Sequence, residues 1–316
     1  MLMTFTEVSK KIDEGNTLHI AGTESLLRKL PKGNWIGGST EYFMSADGGK
    51  VSDGLLFVTE FPYEKITIKT YSTQNIKNVA KDASDNGFSI IIIPFDSTIN
   101  KEYAENASEF DEMFMKNTAG WVSGGQTPLC VNGTVSEIYT DKAVALHVEV
   151  PQSKMVTLNI VNIFEQDETS PIIEFAEEGF AVKNCIVDGK EMLLADYLAQ
   201  NKIDVKMPLV GNYSGTGINV SFKEIEGDTV YFYAPVFNNI KYRIAKSISN
   251  YEEAFQNRLK NISDKGTAFT CNCILNFLYG GLEGKNLGMF AGPITFGEIA
   301  HQLVNQTLVY VVVTDK

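Results

Sequence analysis

Basic clusters, the cysteine content of a disulfide framework and long apolar runs are all missing from this sequence of 316 residues. No run of lysine and arginine occurs, and the formal net charge is -12, so the electrostatic footprint of a protein that binds nucleic acid or an anionic membrane is lacking. The longest apolar runs, residues 90–93 and 309–313, have the length of a strand and are far too short to cross a membrane. We therefore predict no nucleic-acid partner and no membrane insertion.

Cysteines and targeting features are equally sparse. Cys130, Cys185, Cys271 and Cys273 are too few and too scattered for the disulfide framework of a small secreted protein. The sequence starts directly with an amphipathic pattern, without the basic and apolar regions of a secretory signal. These features indicate a reducing compartment, and we expect the protein to be cytoplasmic.

The composition is otherwise that of an ordinary globular protein, with 44% hydrophobic and 21% charged residues. Helices are predicted at residues 4–15, 24–30, 75–85, 102–115, 192–200 and 251–262, the first with capping-box spacing at Thr4 and Glu7 and the last after the capping candidate Asn250. Strands are predicted at residues 17–21, 55–61, 65–71, 89–95, 142–150, 154–163, 180–187, 218–225, 229–237, 268–275 and 307–313, and a hairpin turn around Gly227 joins 218–225 to 229–237. This alternation predicts an α/β (mixed α+β) fold with layered mixed sheets and packed helices.

Two glycine-rich segments repeat each other. Residues 33–40 read Gly-Asn-Trp-Ile-Gly-Gly-Ser-Thr, residues 120–127 read Gly-Trp-Val-Ser-Gly-Gly-Gln-Thr, and residues 289–295 form a weaker third copy. Such repeats predict duplicated supersecondary units, here two related halves. The glycine pairs follow strands, where backbone N–H groups can approach a ligand, or they simply permit tight turns. Trp35 and Trp121 are predicted to be core anchors.

The C-terminal part carries the most specific motif. Residues 296–299 read Phe-Gly-Glu-Ile and residues 305–307 read Asn-Gln-Thr, preceded by Ile-Gly-Gly-Ser-Thr-Glu at 36–41 and Ala-Phe-Thr-Cys-Asn-Cys at 268–273. In this order the motifs resemble those of the FIST (F-box and intracellular signal transduction) family. The resemblance implies a FIST N-terminal-like domain at residues 1–205 and a FIST C-terminal-like domain at residues 206–316. It also implies a sensory protein that binds small, amino-acid-like ligands and acts through a separate signalling protein.

The glycine pairs and the C-terminal motif together give a candidate ligand-binding site. Glu298 can pair with the ammonium group of a ligand while backbone N–H groups near Gly38 donate to the carboxylate of the same ligand. Alternatively, Glu298 stabilises a turn. Asn305 is expected to bond the nearby backbone. The full candidate set is Gly37, Gly38, Ser39, Thr40, Gly124, Gly125, Cys271, Phe296, Gly297, Glu298 and Asn305.

A cysteine- or serine-dependent hydrolase is the main alternative. It would use Cys271 or Ser39 as the nucleophile with His301 as base and Glu298 as the orienting acid, although no Gly-x-Ser-x-Gly elbow is present. Cys271 and Cys273 share one face of their predicted strand and could hold a soft metal, but buried cysteine is more often a small apolar filler. We predict no catalytic residue, no metal and no cofactor. An assembly partner that binds no ligand is the third possibility.

Overall fold

The computed structural model describes residues 1–213, 215–263, 265–286 and 290–316. These residues form five β-sheets with short helices packed against them. The predicted fold class, mixed α+β with layered mixed sheets, is confirmed. No helix in the described part of the chain is both long and apolar enough to span a membrane.

The chain forms three similar units. In the first unit, neighbouring residues fix the start of the first helix. The Thr4 side chain accepts from the Glu7 N–H while the Glu7 carboxylate accepts from the Thr4 N–H, so the predicted capping box is confirmed. The helix that follows buries Val8 and Ile12. In chain order the unit contains β1 (Leu2–Met3), α1 (Phe5–Asp13), β2 (Leu18–Gly22), α2 (Glu24–Leu27), β3 (Trp35–Ser39), β4 (Tyr42–Ser45), β5 (Gly48–Val51) and β6 (Leu56–Glu60).

The second unit repeats this order with longer strands, and its first helix is reduced to a 3-10 turn at Ile76–Asn78. Its second helix begins after Ser97, whose hydroxyl accepts from the Asn100 N–H. The unit contains β7 (Lys65–Tyr71), β8 (Gly87–Pro94), α3 (Thr98–Asn106), β9 (Asn117–Ser123), β10 (Cys130–Asn132), β11 (Glu137–Tyr139) and β12 (Ala143–Glu149).

The third unit is interrupted after its first strand, β13 (Lys154–Asn162), by residues 163–250, which we call the insert. The predicted hairpin around Gly227 is confirmed, since Glu226 pairs with Thr229 across it. The insert contains β14 (Ile173–Glu174), β15 (Gly179–Val182), β16 (Asn184–Val187), β17 (Lys190–Leu193), α4 (Leu194–Gln200), β18 (Leu209–Tyr213), β19 (Thr216–Val220), β20 (Phe222–Glu226), β21 (Thr229–Val236) and β22 (Tyr242–Ile244).

After the insert the third unit resumes the common order. Its first helix follows Asn250, whose side chain accepts from the Glu253 N–H, as the sequence predicts. The remaining elements are α5 (Tyr251–Leu259), β23 (Thr267–Cys273), α6 (Ile274–Tyr279), β24 (Gly292–Thr295), β25 (Glu298–Ala300), β26 (Gln302–Val304) and β27 (Thr307–Asp315). Met289, the first residue of the predicted third repeat, lies outside the described residues.

The three units exchange hairpins in a ring. Each unit has a parallel strand pair (β2–β3, β8–β9 or β23–β24), after which the chain crosses to a neighbouring sheet. There β10 pairs with β3, β25 with β9 and β4 with β24. The strand orders are β1-β6-β2-β3-β10-β11 in sheet I, β26-β25-β9-β8-β12-β7 in sheet II and β13-β27-β23-β24-β4-β5 in sheet III. Three junctions between units result. The repeats found in the sequence therefore belong to a three-unit body.

Sheets I, II and III enclose a central core that includes Ile36, Trp121, Phe269 and Val309. The outer face of sheet I is covered by α1 and α2, and that of sheet II by α3. The outer face of sheet III packs against α5, α6 and the insert, whose strands form sheet IV (β17-β16-β14-β22-β18-β19) and sheet V (β15-β21-β20). Both tryptophans are buried, as predicted.

Several predicted elements differ from the structure, and the strands predicted at 180–187 and 218–225 are each divided into two, β15 with β16 and β19 with β20. Residues 75–85 form only the 3-10 turn and following turns, because Asn75 bonds the Ser72 N–H and asparagine and aspartate compete for backbone groups in this segment. The helix predicted at residues 102–115 starts at Thr98 and ends at Asn106, before Glu112 adopts a left-handed conformation. The strand predicted at 268–275 ends at Cys273, and α6 follows it. The sequence did not indicate this helix, because its nearly continuous apolar residues show no helical period.

The predicted domain division at residue 205/206 stays a prediction. It lies between α4 and β18, within the insert. The sequence shows the least pattern around it, at residues 201–217, and Ser214 of this stretch lies outside the described residues. Strands from both sides of the division, β14 and β22, pair within sheet IV.

Candidate functional site

A polar cleft lies at the junction between the first and second units. It is formed by the loop after β2, the end of β3, the loop before β6 and the segment that crosses from β9 to β10, and its volume is about 450 Å³. Carboxyl ends of parallel strands are a common location for ligand sites. The polar cleft is lined by Thr23, Glu24, Ser25, Arg28, Ser39, Thr40, Glu41, Asp53, Gly124, Gly125, Gln126 and Thr127.

Hydroxyl groups fix the floor of the polar cleft. Ser39 Oγ donates to the Thr127 carbonyl at 3.0 Å and accepts from the Leu129 N–H at 2.9 Å. The Gly124 N–H donates to the Ser39 carbonyl at 2.8 Å. Thr40 Oγ1 donates to the Ile294 carbonyl of the third unit at 2.7 Å. These bonds tie all three units together at the site, so its backbone is held in one arrangement.

The charged groups of the polar cleft are of both signs. Arg28 Nε and Nη2 both bond Oε1 of Glu24, at 2.7 and 2.6 Å. Hydrogen bonds from Arg28 and Thr127 lower the pKa of Glu24. Glu41 and Asp53 add two further carboxylates, so three negative groups face one guanidinium and the lining carries a formal charge of -2. A guanidinium has five N–H donors, so Arg28 keeps donors for a second acceptor.

At the other two junctions, aromatic side chains meet where the chain crosses between sheets. Between the second and third units, the Phe296 ring lies against Gly124 and 6.2 Å from the Phe95 ring, which also contacts Tyr233 of the insert. Between the third and first units, Tyr42 contacts Phe277 with ring centroids 5.6 Å apart. The junction between the first and second units differs because it is lined by short polar and charged side chains, and it is therefore open.

Four of the candidate residues, Ser39, Thr40, Gly124 and Gly125, lie together in the polar cleft. Gly37 and Gly38 lie under core side chains instead. A Cβ on Gly37 would meet the Trp35 ring at 3.0 Å, and one on Gly38 would meet the Trp121 ring at 2.7 Å.

The remaining candidates lie in the third unit. The Gly297 carbonyl accepts from the Val122 N–H, and Phe296 fills its own junction. The Asn305 backbone carbonyl accepts from Asn219 of the insert, which differs from the predicted side-chain bond. The side-chain oxygen of Asn305 has no partner among the described residues.

Glu298 is fully buried in the third unit and does not line the polar cleft. Its Oε1 lies 3.0 Å from Thr295 Oγ1, and its Oε2 accepts from the Thr307 N–H and hydroxyl at 3.2 and 2.8 Å. Burial raises the pKa of Glu298 to about 8, against the opposing effect of these bonds. These contacts match the alternative in which Glu298 stabilises a turn.

The groups of the hydrolase alternative are not brought together. Cys271 is buried in the central core, its thiol donates to the Gly120 carbonyl, and burial raises its pKa well above the usual value. His301 lies in the turn between β25 and β26, where its Nδ1 is 3.0 Å from the Met113 carbonyl. The hydroxyl of Ser39 is bonded to backbone groups and has no histidine among its described partners.

Sequence reasoning missed most charged residues of the polar cleft. Glu41 belongs to the motif at 36–41, and Gln126 and Thr127 belong to the repeat at 120–127, but no motif contains Arg28, Glu24 or Asp53. A usable signal existed, because the sequence contains only three arginines, Arg28, Arg243 and Arg258. Arginine is favoured where a planar carboxylate must be recognised. In a sequence with so few arginines, each of the three is therefore a candidate for a ligand-binding group.

A buried polar chain in the second unit was also missed. Ser89 Oγ lies 2.7 Å from His147 Nδ1, Tyr71 Oη lies 2.8 Å from His147 Nε2, and Tyr71 donates to Asp82. Because the tyrosine proton is used on Asp82, the arrangement fits a neutral imidazole with its proton on Nε2. Burial lowers the pKa of His147 to about 4.

Acid should therefore destabilise the protein through His147. The unfolded chain binds a proton near pH 6.5 and the folded chain only near pH 4, so the free energy of unfolding falls as the pH drops through this window. Between pH 6.5 and pH 4, the free energy of unfolding of His147→Gln should fall by about 2 kcal/mol less than that of the parent. Urea unfolding at several pH values measures this difference. An unchanged pH slope in this variant would show that His147 is not the titrating group.

Comparison with known families gives one match. A family model described as "Family of unknown function (DUF6976)" matches residues 3–314. The resemblance to the FIST family is wrong, because this match covers nearly the whole chain and no FIST model matches. The short motifs on which the resemblance depended are mainly glycines, buried polar residues and turn residues that the fold itself requires. No curated protein matches the chain.

Proposed function

Because the chain belongs to this family of unknown function, which brings no activity with it, we propose a function from the site itself. The protein binds a small zwitterionic ligand of the amino-acid type in the polar cleft, without chemical turnover. The observation that carries the proposal is the contrast between the three junctions. At two of them aromatic side chains meet where the chain crosses between sheets, and at the third a cleft with charges of both signs lies there.

Arg28 is the group proposed to bind the ligand carboxylate. Its two bonds to Glu24 end on a single oxygen, which leaves guanidinium donors for the ligand. The Arg28 side chain is 51% exposed, so a ligand can reach it without displacing core residues. Gly125, which also lines the cleft, has a φ of +96°, and a Cβ there would meet no atom within 4 Å, so the cleft has open space at this position.

Glu41 and Asp53 are the groups proposed to bind the ligand ammonium. Among the described residues, neither forms an ion pair with lysine or arginine. An ammonium placed between them would offset the excess of negative charge in the lining. A zwitterion thus matches the arrangement better than a simple anion, which the carboxylates would repel.

Binding without turnover is proposed because Ser39, the serine named as a nucleophile in the hydrolase alternative, is engaged by the backbone. No histidine or cysteine is among the described residues that line the cleft. We further propose that ligand binding is passed to a separate signalling protein and that the protein acts in the cytoplasm. All four cysteines are buried and free, which is in keeping with a reducing compartment.

Thermal denaturation in the presence of each of the twenty amino acids tests the proposal. A ligand at about a hundred times its Kd should add about 3 kcal/mol to the free energy of unfolding and raise the Tm accordingly. The Arg28→Ala variant should lose the shift. Lys29→Ala, which removes an exposed charge next to it, should keep the shift.

Two analogues sharpen the test. The decarboxylated amine and the deaminated acid of the bound amino acid should each bind at least about tenfold more weakly, because each loses one of the two charge contacts. The proposal fails if no amino acid shifts the melting of well-folded protein. It also fails if Arg28→Ala and Lys29→Ala respond alike.

A further inference from the structure

A second cleft separates the insert from the three-unit body. Its volume is about 910 Å³, and one wall comes from β15, β18, β19 and the loop after β21 while the other comes from α3, the segment after it and the turn before β26. We call it the insert cleft. Apolar and aromatic side chains cover much of its surface: Phe114, Ile160, Tyr213, Ile218, Phe237 and Ile240.

The mouth of the insert cleft exposes consecutive large apolar side chains. Phe114 lines the cleft and is 60% exposed, and the adjacent Met115 is 81% exposed. Ile160, on β13, also lines the cleft and is 42% exposed. Phe114 contacts the His301 ring, and the His301 backbone is held by a hydrogen bond from Tyr103 to its carbonyl, so this wall is ordered by contacts to the core. Exposed apolar groups around a cleft are typical of an interaction site.

Carboxylates surround this apolar surface. Glu105, Glu109 and Glu178 line the insert cleft, and no lysine or arginine is among the described residues that do so. Oε1 of Glu105 lies 3.9 Å from Nζ of Lys101, whereas Glu109 and Glu178 form no ion pair in the described part of the chain. Burial raises the pKa of Glu105, and the nearby carboxylates of Glu102 and Glu178 add to the rise. The negative charge of the cleft is therefore largely uncompensated within the chain.

We propose that the insert cleft docks an extended segment of another protein that carries both lysine or arginine and large apolar side chains. Its apolar side chains would cover Phe114 and Ile160, and its basic side chains would pair with Glu109 and Glu178. A second copy of this chain does not fit this description well, because two chains of net charge -12 repel each other. This surface is separate from the polar cleft, so the inference does not depend on the zwitterionic ligand.

Fluorescence anisotropy with a fluorescein-labelled hexapeptide of alternating lysine and leucine tests the docking surface. The peptide should bind, and an all-lysine hexapeptide and an alternating glutamate–leucine hexapeptide should bind at least about tenfold more weakly. Raising NaCl from about 50 mM to about 500 mM should weaken binding of the lysine–leucine peptide severalfold, because salt screens the rim carboxylates.

Matched variants locate the binding. Phe114→Ala and the double change Glu109→Gln with Glu178→Gln should each raise the Kd about fivefold to tenfold. Leu278→Ala, which truncates another exposed apolar residue, and Glu191→Gln on the far strand β17 should leave it unchanged. The proposal is overturned if the peptide does not bind at about 1 mM, or if the all-lysine peptide binds equally well. It is also overturned if the cleft variants behave like their controls, or if they abolish self-association of the chain instead.

Discussion

Trp121→Ala should lower the free energy of unfolding by about 4 kcal/mol. The indole is fully buried between sheets I, II and III, where it contacts residues from more than one unit. Its ring covers Gly38 of the first unit, and its Nε1 donates to His19 Nε2 at 2.7 Å. Truncation would leave a cavity at the centre of the ring of units and remove the hydrogen-bond partner of a buried histidine, and both effects destabilise the folded state.

Urea denaturation followed by circular dichroism measures this loss. Trp121→Phe separates its parts, because it keeps an aromatic ring but lacks the N–H donor, and we expect it to lose about half as much. Leu278→Ala should change the free energy by less than about 1 kcal/mol, since Leu278 is 55% exposed. A loss below about 1 kcal/mol for Trp121→Ala would contradict the central role assigned to the indole.

Trp121 also shows where the sequence repeat misleads. The repeat aligns Trp121 with Trp35, but the strand pairings do not. Ala21 pairs with Gly38 and Ile92 pairs with Trp121, and both Ala21 and Ile92 face the central core. Trp121 therefore occupies the position of Gly38, and a small residue in one unit makes room for a large one in the next. Trp35 lies in a different cluster, beneath α1 and α2.

Local chemistry accounts for what could be predicted of the fold. The capping residues Thr4 and Asn250 and the hairpin at Gly227 act through neighbouring residues, so their sequence signals suffice. The exchange of hairpins between units could not be predicted, because β4, β10 and β25 are short strands whose partners are set by the packing of distant sheets.

Only some residues of the polar cleft could be predicted from the sequence, for the same reason. Its glycine and hydroxyl residues follow strands and stand out in the sequence. Its charged residues, by contrast, come from three separate segments around Arg28, Glu41 and Asp53, which only the tertiary fold of the first unit brings together. Glu298 was assigned to the site from a motif alone, and the motif could not reveal that its neighbours Thr295 and Thr307 enclose it.

The hydrogen bonds of Glu298 indicate that its carboxyl group is protonated in the folded protein. Thr295 Oγ1 has one proton but lies near two acceptors, the Asn272 carbonyl at 3.2 Å and Glu298 Oε1 at 3.0 Å. If Glu298 carries a proton on Oε1, it donates to Thr295, which then donates to Asn272, and every group has a partner. A carboxylate would leave one of these contacts without a proton, at a fully buried position.

Glu298→Gln should consequently make the protein more stable than its parent at alkaline pH. The folded-state pKa of about 8 exceeds the usual value of 4.5, so the folded chain holds a proton that the unfolded chain has lost. This contribution to stability is complete below pH 4.5 and is lost as the pH rises through 8. At about 1.4 kcal/mol per pH unit, the parent should lose about 4 kcal/mol that the variant keeps, because a carboxamide does not titrate.

Urea unfolding of both proteins between pH 5 and pH 9 measures the difference, and the comparison cancels groups that both share, such as His147. Near pH 5 the two proteins should be similar, since a carboxamide can replace the protonated acid in each of its contacts. The exposed substitution Glu191→Gln should leave the pH profile unchanged. Parallel profiles for Glu298→Gln and its parent would mean that Glu298 is ionised in the folded state, and the hydrogen-bond order drawn from Thr295 would then be wrong.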